Sequence, residues 1–180
     1  QAVAPDGRSI ASAAHVVLAS GDQTAASLPW VDVLPIQRVR GQVTQIPQGQ
    51  LSAIALPLCR EGYLTPSLNG WHCLGATYDT DADPMPRHAS DVENWARLTR
   101  LIEAVPNTPD LGKCISRVGF RAVAPDRLPL VGPCADPQAS HSAKATQLRQ
   151  LVRVEGLHSL LGFASRGIIW SSLMTELLVS

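Results

Sequence analysis

The apolar positions of this chain recur with two periods. Over residues 36–46 (IQRVRGQVTQI) apolar and polar residues alternate, which predicts a strand. Gly41 inside it marks a bulge or a close backbone approach. Residues 63–66 and 71–78 read as two strands joined at Asn69-Gly70, a strong hairpin signal. A further short strand is expected within 54–59, and another over 114–122. Two short apolar runs, 14–19 (AHVVLA) and 157–163 (LHSLLGF), read as buried strands, the first of them in a parallel pairing. The helical period appears twice. Trp95, Leu98, Leu101, Ile102 and Val105 set a helix over 90–105, opened by a Ser90-x-x-Glu93 capping box and stopped by Pro106 and Pro109. Residues 168–179 are apolar almost all round, so this second helix is expected to be well buried. Residues 22–34 read as a short helix or irregular segment, and 136–150 as an exposed loop or short surface helix.

This order predicts an α+β fold. An antiparallel sheet over residues 35–115 is covered by the 90–105 helix, and residues 1–34 and 116–180 supply the remaining strands and the last helix. The length of 180 residues suits one domain, or one domain and part of another.

Composition narrows the function classes. Hydrophobic residues are 45% and charged residues 17%, so the chain is globular. The formal net charge is zero and the pI is near 7.1, so any basic surface must be local. No apolar run is long enough to span a bilayer, and residues 1–14 do not read as a signal peptide. Cys59, Cys73, Cys114 and Cys134 lack a Cys-x-x-Cys pair and read as reduced thiols of a cytoplasmic protein. The histidines are dispersed, and no metal site is expected. Neither a Gly-x-Gly-x-x-Gly turn nor a P-loop occurs. Ser20, Ser165, His72 and His158 make no nucleophile–base pattern.

Two stretches carry candidate chemistry. In 117–132 (RVGFRAVAPDRLPLVG) one charged residue, Arg121, sits in an apolar strand before a turn made rigid by Pro125 and Pro129. A guanidinium there can grip a carboxylate with two parallel hydrogen bonds, or it can pair with Asp126 and only fix the turn. In 162–167 (GFASRG) a strand runs through a glycine-flanked turn into a helix, beside Arg166. Backbone amides and a helix start there can hold a phosphate, a carboxylate or the anionic edge of a reduced flavin, or simply form a turn. Tyr63 can orient a substrate or be an ordinary sheet tyrosine. Asp79, Asp81 and Asp83 read as solvated.

Six motifs in order resemble one family: VVLASG, LPIQRVRGQV, EGYLTP, HCLGATYD, RVGFRAVAPDRLPLVG and GFASRGIIWSSLMTELL. They are similar to the carboxyl-terminal part of the FAD-dependent amine and D-amino acid oxidase superfamily. More narrowly, they resemble the oxidoreductase half of a bifunctional tRNA-modifying family. The resemblance implies oxidation of a C–N bond with hydride passed to FAD. It implies as substrate the carboxymethylaminomethyl group of wobble uridine in tRNA, which is left as the aminomethyl form. It also implies a fused methyltransferase domain using S-adenosylmethionine. By motif match, Arg121 binds a glycine-like carboxylate with Tyr63 nearby. Gly162, Ser165, Arg166, Gly167 and Ile168 surround the flavin, Gly21 lies near the cofactor, and Arg40 and Gly41 border the site. The missing dinucleotide turn implies a fragment that begins inside its FAD domain, with exposed edges prone to self-association. The same fold serving free glycine or D-amino acids, and a non-catalytic binding module, are the alternatives.

Overall fold

The structure is a computed structural model that describes residues 1–24, 34–102, 109–142 and 146–180. Most of the segment expected over 22–34, and the end of the helix expected over 90–105, lie outside the described residues. The chain divides into two compact units, one of Gln1–Gln37 with Arg121–Ser180, the other of Arg38–Phe120.

Strand β1 (Ala2–Val3) pairs antiparallel with β2 (Ser9–Ala11). Strand β3 (Val16–Leu18) is followed by a single turn of 3-10 helix at Gly21–Gln23. Strand β4 (Gln37–Pro47) is the long strand of the second unit, and β5 (Leu58–Cys59), β6 (Tyr63–Leu64) and β7 (Trp71–Gly75) follow it. Helix α1 spans His88–Leu101. Strands β8 (Ile115–Val123) and β9 (Leu130–Ala135) lead to the short helix α2 (Pro137–Ser142). Strand β10 (Arg153–Leu161) and helix α3 (Gly167–Val179) close the chain.

The second unit is built on a five-stranded sheet of order β5-β6-β7-β4-β8. The β4–β7 and β6–β7 pairs are antiparallel, with Val43 opposite Gly75 and Ile46 opposite His72. Asn69 and Gly70 both take positive φ (51° and 84°), as a primed hairpin turn requires. Helix α1 covers one sheet face, where Ile46, Leu64, Leu74, Trp95 and Leu98 form the apolar core. Burying five such side chains supplies about 1.5–3 kcal/mol each.

The rest of that interface is polar. Gln42 donates to the Arg87 carbonyl and to Asp91 Oδ1, and its own oxygen accepts from the Arg87 amide. Asp91 also accepts from Thr44 Oγ1 at 2.6 Å and from Ser116 Oγ at 2.8 Å. Asn94 donates to the Gln42 carbonyl and to Thr44 Oγ1. These bonds tie the start of α1 to β4 and β8, and they make polar burial tolerable. They also revise the expected capping box. The helix begins at His88 with Arg87 as an extended N-cap and no side-chain capping bond. Ser90 is buried one turn in, and Glu93 pairs instead with Arg97.

The acidic loop differs from its expectation too. Asp79 pairs with Arg40 at 3.0 Å, and Asp81 and Asp83 both clamp Arg87, at 2.6 and 2.8 Å. Alternating carboxylates match the spacing of a guanidinium fork, so the loop is cross-linked and not merely solvated.

The first unit holds a three-stranded sheet of order β3-β10-β9. β3 is parallel to β10, with Leu18 opposite Ser159, and β9 is antiparallel to it, with Val131 opposite Leu160. Gly156 (φ +69°) faces the Ala14 carbonyl where a Cβ has no room. Val17 is exposed, so β3 is half-buried, not the buried strand expected. Helix α3 rests on β9 and β10 and buries only Met174 fully. Ile168 is 96% exposed and Ile169 79%, against the expectation of a well-buried helix. One sheet face accommodates one stripe of a helix, and the other stripes of α3 have no neighbour among the described residues. Among the described residues no helix is long and apolar enough to cross a membrane.

Candidate functional site

The parallel pairing of β3 and β10 decides where the glycine turns lie. Gly21 and Gly162 each follow the Leu18–Ser159 pair by three residues, so both turns leave the sheet at the same end. That end carries the carboxyl termini of two parallel neighbours, the edge at which open α/β sheets hold ligands. Both glycines have positive φ (60° and 77°). At Gly21 the chain enters its helical turn, closed by Thr24 Oγ1 donating to the Gly21 carbonyl at 2.8 Å. At Gly162 a Cβ would stand 3.1 Å from Ile36 Cδ1 and 3.5 Å from the Leu128 carbonyl, so only glycine fits without displacement.

The turn that follows is held by backbone bonds. Ala164 takes φ 52°, and its N–H donates to the Ala122 carbonyl at 3.0 Å. Val123 bridges Phe163, and the Arg166 N–H closes the turn on the Phe163 carbonyl at 2.9 Å. An alanine at positive φ costs about 1–2 kcal/mol, which the stitching to β8 must offset. Arg166 is then the N-cap of α3, with no side-chain capping bond. The amides of the first helical turn lack intrahelical partners, so Gly167 and Ile168 present N–H groups beside an exposed guanidinium. Ser165 is exposed on the same turn. Such a cradle suits a planar anionic group.

Arg121 enters the same neighbourhood through the backbone. It is half-buried and directly precedes Ala122, whose carbonyl holds the Ala164 amide. The following turn is fixed by Asp126, whose Oδ1 accepts from the Leu128 N–H at 2.9 Å, and by Arg127 at φ 61°. The structure thus brings together Gly21, Gly162, Ser165, Arg166, Gly167, Ile168 and the β8 residue Arg121, from three separate stretches of sequence.

Tyr63, Arg40 and Gly41 belong to the second unit. Tyr63 is half-buried on the sheet face opposite α1, with Cys73, Gly75 and Val43. A Cβ on Gly75 would lie 2.8 Å from Val43 Cγ1 and 3.4 Å from Tyr63 Oη, so the tyrosine lies across a strand position that has no side chain. Its hydroxyl is 3.9 Å from Cys73 Sγ. Arg40 faces the α1 side and is fully buried. It donates to the Asp83 carbonyl at 2.8 Å, Asp79 Oδ2 at 3.0 Å, Gln42 Oε1 at 3.2 Å and the Met85 carbonyl at 2.7 Å. With those four bonds Arg40 cross-links β4 to the loop over 79–85. Gly41 is buried, and alternation along β4 points it to the face that carries Tyr63.

The buried network and the carboxylate clamp escaped the sequence reading. The one signal was Arg87 four residues after Asp83. Burial pushes the Cys114 and Cys134 thiols up, Cys114 with help from Asp91 and Asp110. Among the described residues no group of three or more His, Cys, Asp and Glu is placed to hold a metal.

Comparison with known proteins gives consistent matches. Residues 1–180 match the family described as FAD dependent oxidoreductase. The chain is 41% identical, over 186 aligned residues, to the tRNA 5-methylaminomethyl-2-thiouridine biosynthesis bifunctional protein MnmC of Burkholderia mallei (strain SAVP1). The same figure holds for that of Burkholderia pseudomallei (strain 668). All of this chain is aligned, and it spans 28% of the length of either relative. Among solved structures, iminodiacetate oxidase from Chelativorans sp. BNC1 superposes with a TM-score of 0.67 at 18% identity, over 98% of this chain and 44% of that one. Glycine oxidase from Geobacillus kaustophilus superposes with 0.62 at 24%, over 92% and 40%. At those identities the superpositions speak for the fold.

Proposed function

Because this chain belongs to the FAD dependent oxidoreductase family, we propose that it forms the substrate-binding and carboxyl-terminal part of a flavin-dependent amine oxidoreductase. Its substrate is the carboxymethylaminomethyl group on wobble uridine of tRNA, and its product is the aminomethyl form. The observation that carries this reading is the stitching of the Arg121 strand to the Gly162–Gly167 turn through the Ala122 carbonyl and Ala164 amide. It brings the backbone of the Arg121 strand beside that turn, which supports a carboxylate-binding and an anion-binding group close together.

The residues present fit a flavin. Gly162 packs against Ile36 and the Leu128 carbonyl and so fixes the turn, and Gly167 and Ile168 offer amides at a helix start beside Arg166. FAD, when bound, supplies the hydride acceptor for oxidation of the C–N bond. Gly162, Ser165, Arg166, Gly167 and Ile168 hold its ring, with Gly21 at the neighbouring strand end. The helix start and Arg166 favour negative charge there. Arg121 grips the substrate carboxylate by two parallel bonds and so orients the adjacent C–N bond. The name of the relatives, a bifunctional protein, supports a fused methyltransferase that uses S-adenosylmethionine, and tRNA as substrate supports a cytoplasmic location.

The test uses the intact protein that carries this chain, with tRNA bearing the carboxymethylaminomethyl group, and nucleoside mass spectrometry as the readout. The wild type converts it to the aminomethyl form. Arg121→Ala is expected to raise KM by a factor equivalent to about 2–5 kcal/mol. Turnover of free glycine with no conversion of tRNA would move the assignment to the amino-acid oxidases. Unchanged kcat/KM in the variant would remove Arg121 from the site.

A further inference from the structure

On the second unit the β5–β6 hairpin and α1 enclose a groove of about 230 Å3, lined by Arg60, Glu61, Arg97 and Arg100. Three guanidinium groups face one carboxylate in it. Close approach makes the groove. Gly62 packs so that a Cβ would stand 3.1 Å from the Gly75 carbonyl and 3.6 Å from Arg97 Cβ. The Arg60 N–H donates to the Gly62 carbonyl at 2.8 Å and tightens the turn. The three arginines differ in what they already hold. Arg97 donates to the Ala76 carbonyl at 2.7 Å and to Glu93. Among the described residues Arg100 bonds through its Nε alone, to Glu61 at 3.1 Å, and no partner of its Nη groups is found there. No partner of the Arg60 side chain is found among the described residues.

We propose that this groove binds the phosphodiester backbone of the RNA substrate, with Arg60 and Arg100 as the phosphate ligands and Arg97 as their support. The proposal rests on the reading of tRNA as substrate. A forked, permanently charged donor suits a phosphate oxygen pair. Among the described residues no aromatic side chain lines the groove, so the contact positions the RNA through its backbone without reading its sequence. A local excess of guanidinium is how a chain of zero net charge meets a polyanion.

The experiment measures tRNA affinity of the intact protein as a function of salt, for the wild type, Arg60→Ala/Arg100→Ala and Arg60→Lys/Arg100→Lys. Loss of two phosphate contacts lowers the slope of log Kd against log salt by about 1.5, on the scale of 0.7–0.9 per contact. The alanine pair is expected to bind at least tenfold more weakly at low salt, and the lysine pair to keep the wild-type slope. The loss is expected to be the same whichever base stands at the wobble position. An alanine pair with wild-type slope and affinity, in a protein that does bind tRNA, overturns the groove and leaves the tRNA reading standing. A wild type that binds no tRNA at any salt overturns the tRNA reading, and this inference with it. If the pair fails to fold, Arg60→Ala alone decides, because its side chain has no partner to lose among the described residues. Its slope should fall by about half as much, and an unchanged slope overturns the proposal.

Discussion

Replacing Arg40 by methionine separates a structural arginine from a cofactor-binding one. Methionine keeps much of the volume and removes all donors. The Arg40 side chain is 0% exposed and its partner Asp79 29% exposed. The change leaves the Asp83 and Met85 carbonyls without a donor and halves the pairing of Asp79, which keeps its bond from Thr77 Oγ1. Breaking a buried ion pair from one side costs about 3–5 kcal/mol. Water can reach part of this loop, since Met85 is 65% exposed. The expected loss is therefore lower, about 2–3 kcal/mol. For a domain of this size each kcal/mol moves Tm by about 2–4 °C, so the shift should be about 4–12 °C. The assay is thermal unfolding of the intact flavoprotein, read by circular dichroism, with the flavin spectrum recorded at 20 °C. The spectrum should be unchanged. Adding Asp79→Asn should recover part of the loss, because the orphaned carboxylate is then neutral. A Tm within about 1 °C of wild type, or flavin lost at 20 °C without a change in Tm, would refute the reasoning.

Two further outcomes follow from the same sheet. Hydrogen bonds from Arg87 hold the Asp81 carboxyl down at about 2 instead of 3.8, and Asp83, bonded by the Met85 amide and Arg87, is lowered too. A depressed carboxyl stabilises the clamp fully above the unfolded value and loses that contribution as pH falls through the folded one. A carboxyl-carbon NMR titration should place the Asp81 midpoint near 2, and Arg87→Ala should return it toward 3.8; equal midpoints would dissolve the clamp. Gly75→Ala puts a methyl 2.8 Å from Val43 Cγ1 and 3.4 Å from Tyr63 Oη. The overpacking should cost about 1–3 kcal/mol in a denaturation series, and Val43→Ala should relieve most of it; a neutral Gly75→Ala would mean that Val43 is not packed against the Gly75 position.

What the sequence made legible was local. Alternation located β4 and β8, and Asn69-Gly70 located the β6–β7 turn, because each depends on neighbours within about ten residues. Gly162 through Gly167 stood out for the same reason. The pairing of β3 with β10 joins residues about 140 positions apart, as in Val16 with Leu157, and no local pattern encodes it. That register is what carries Gly21 to Gly162. The capping box failed because Asp91 found partners across the sheet: it takes bonds from β4 and β8, and the helix starts where that geometry allows. Tertiary hydrogen bonds outweighed a cap of about 1 kcal/mol. Helix α3 shows the converse. Its composition reports how much surface it can bury, and the described residues cover one stripe of it.

A zero net charge conceals how unevenly the cations are committed. Arg40 has four internal bonds and no exposure, and Arg87 is held by two carboxylates. Arg97 has a carbonyl and a carboxylate, Arg100 a single carboxylate through one nitrogen, and Arg60 no partner found among the described residues. An arginine whose donors are satisfied inside the fold gains little from a ligand, because binding would exchange one hydrogen bond for another. One whose donors face water gains the full charge-assisted contact when a less hydrated anion arrives. This ordering assigns Arg40 and Arg87 to the fold and supports the phosphate contact proposed for Arg60 and Arg100. Arg166 falls at the same uncommitted end: its side chain makes no capping bond at the start of α3 and stands exposed beside unpaired helix amides. Among the described residues its guanidinium has no partner, which is what the role proposed for it toward an anionic ring requires.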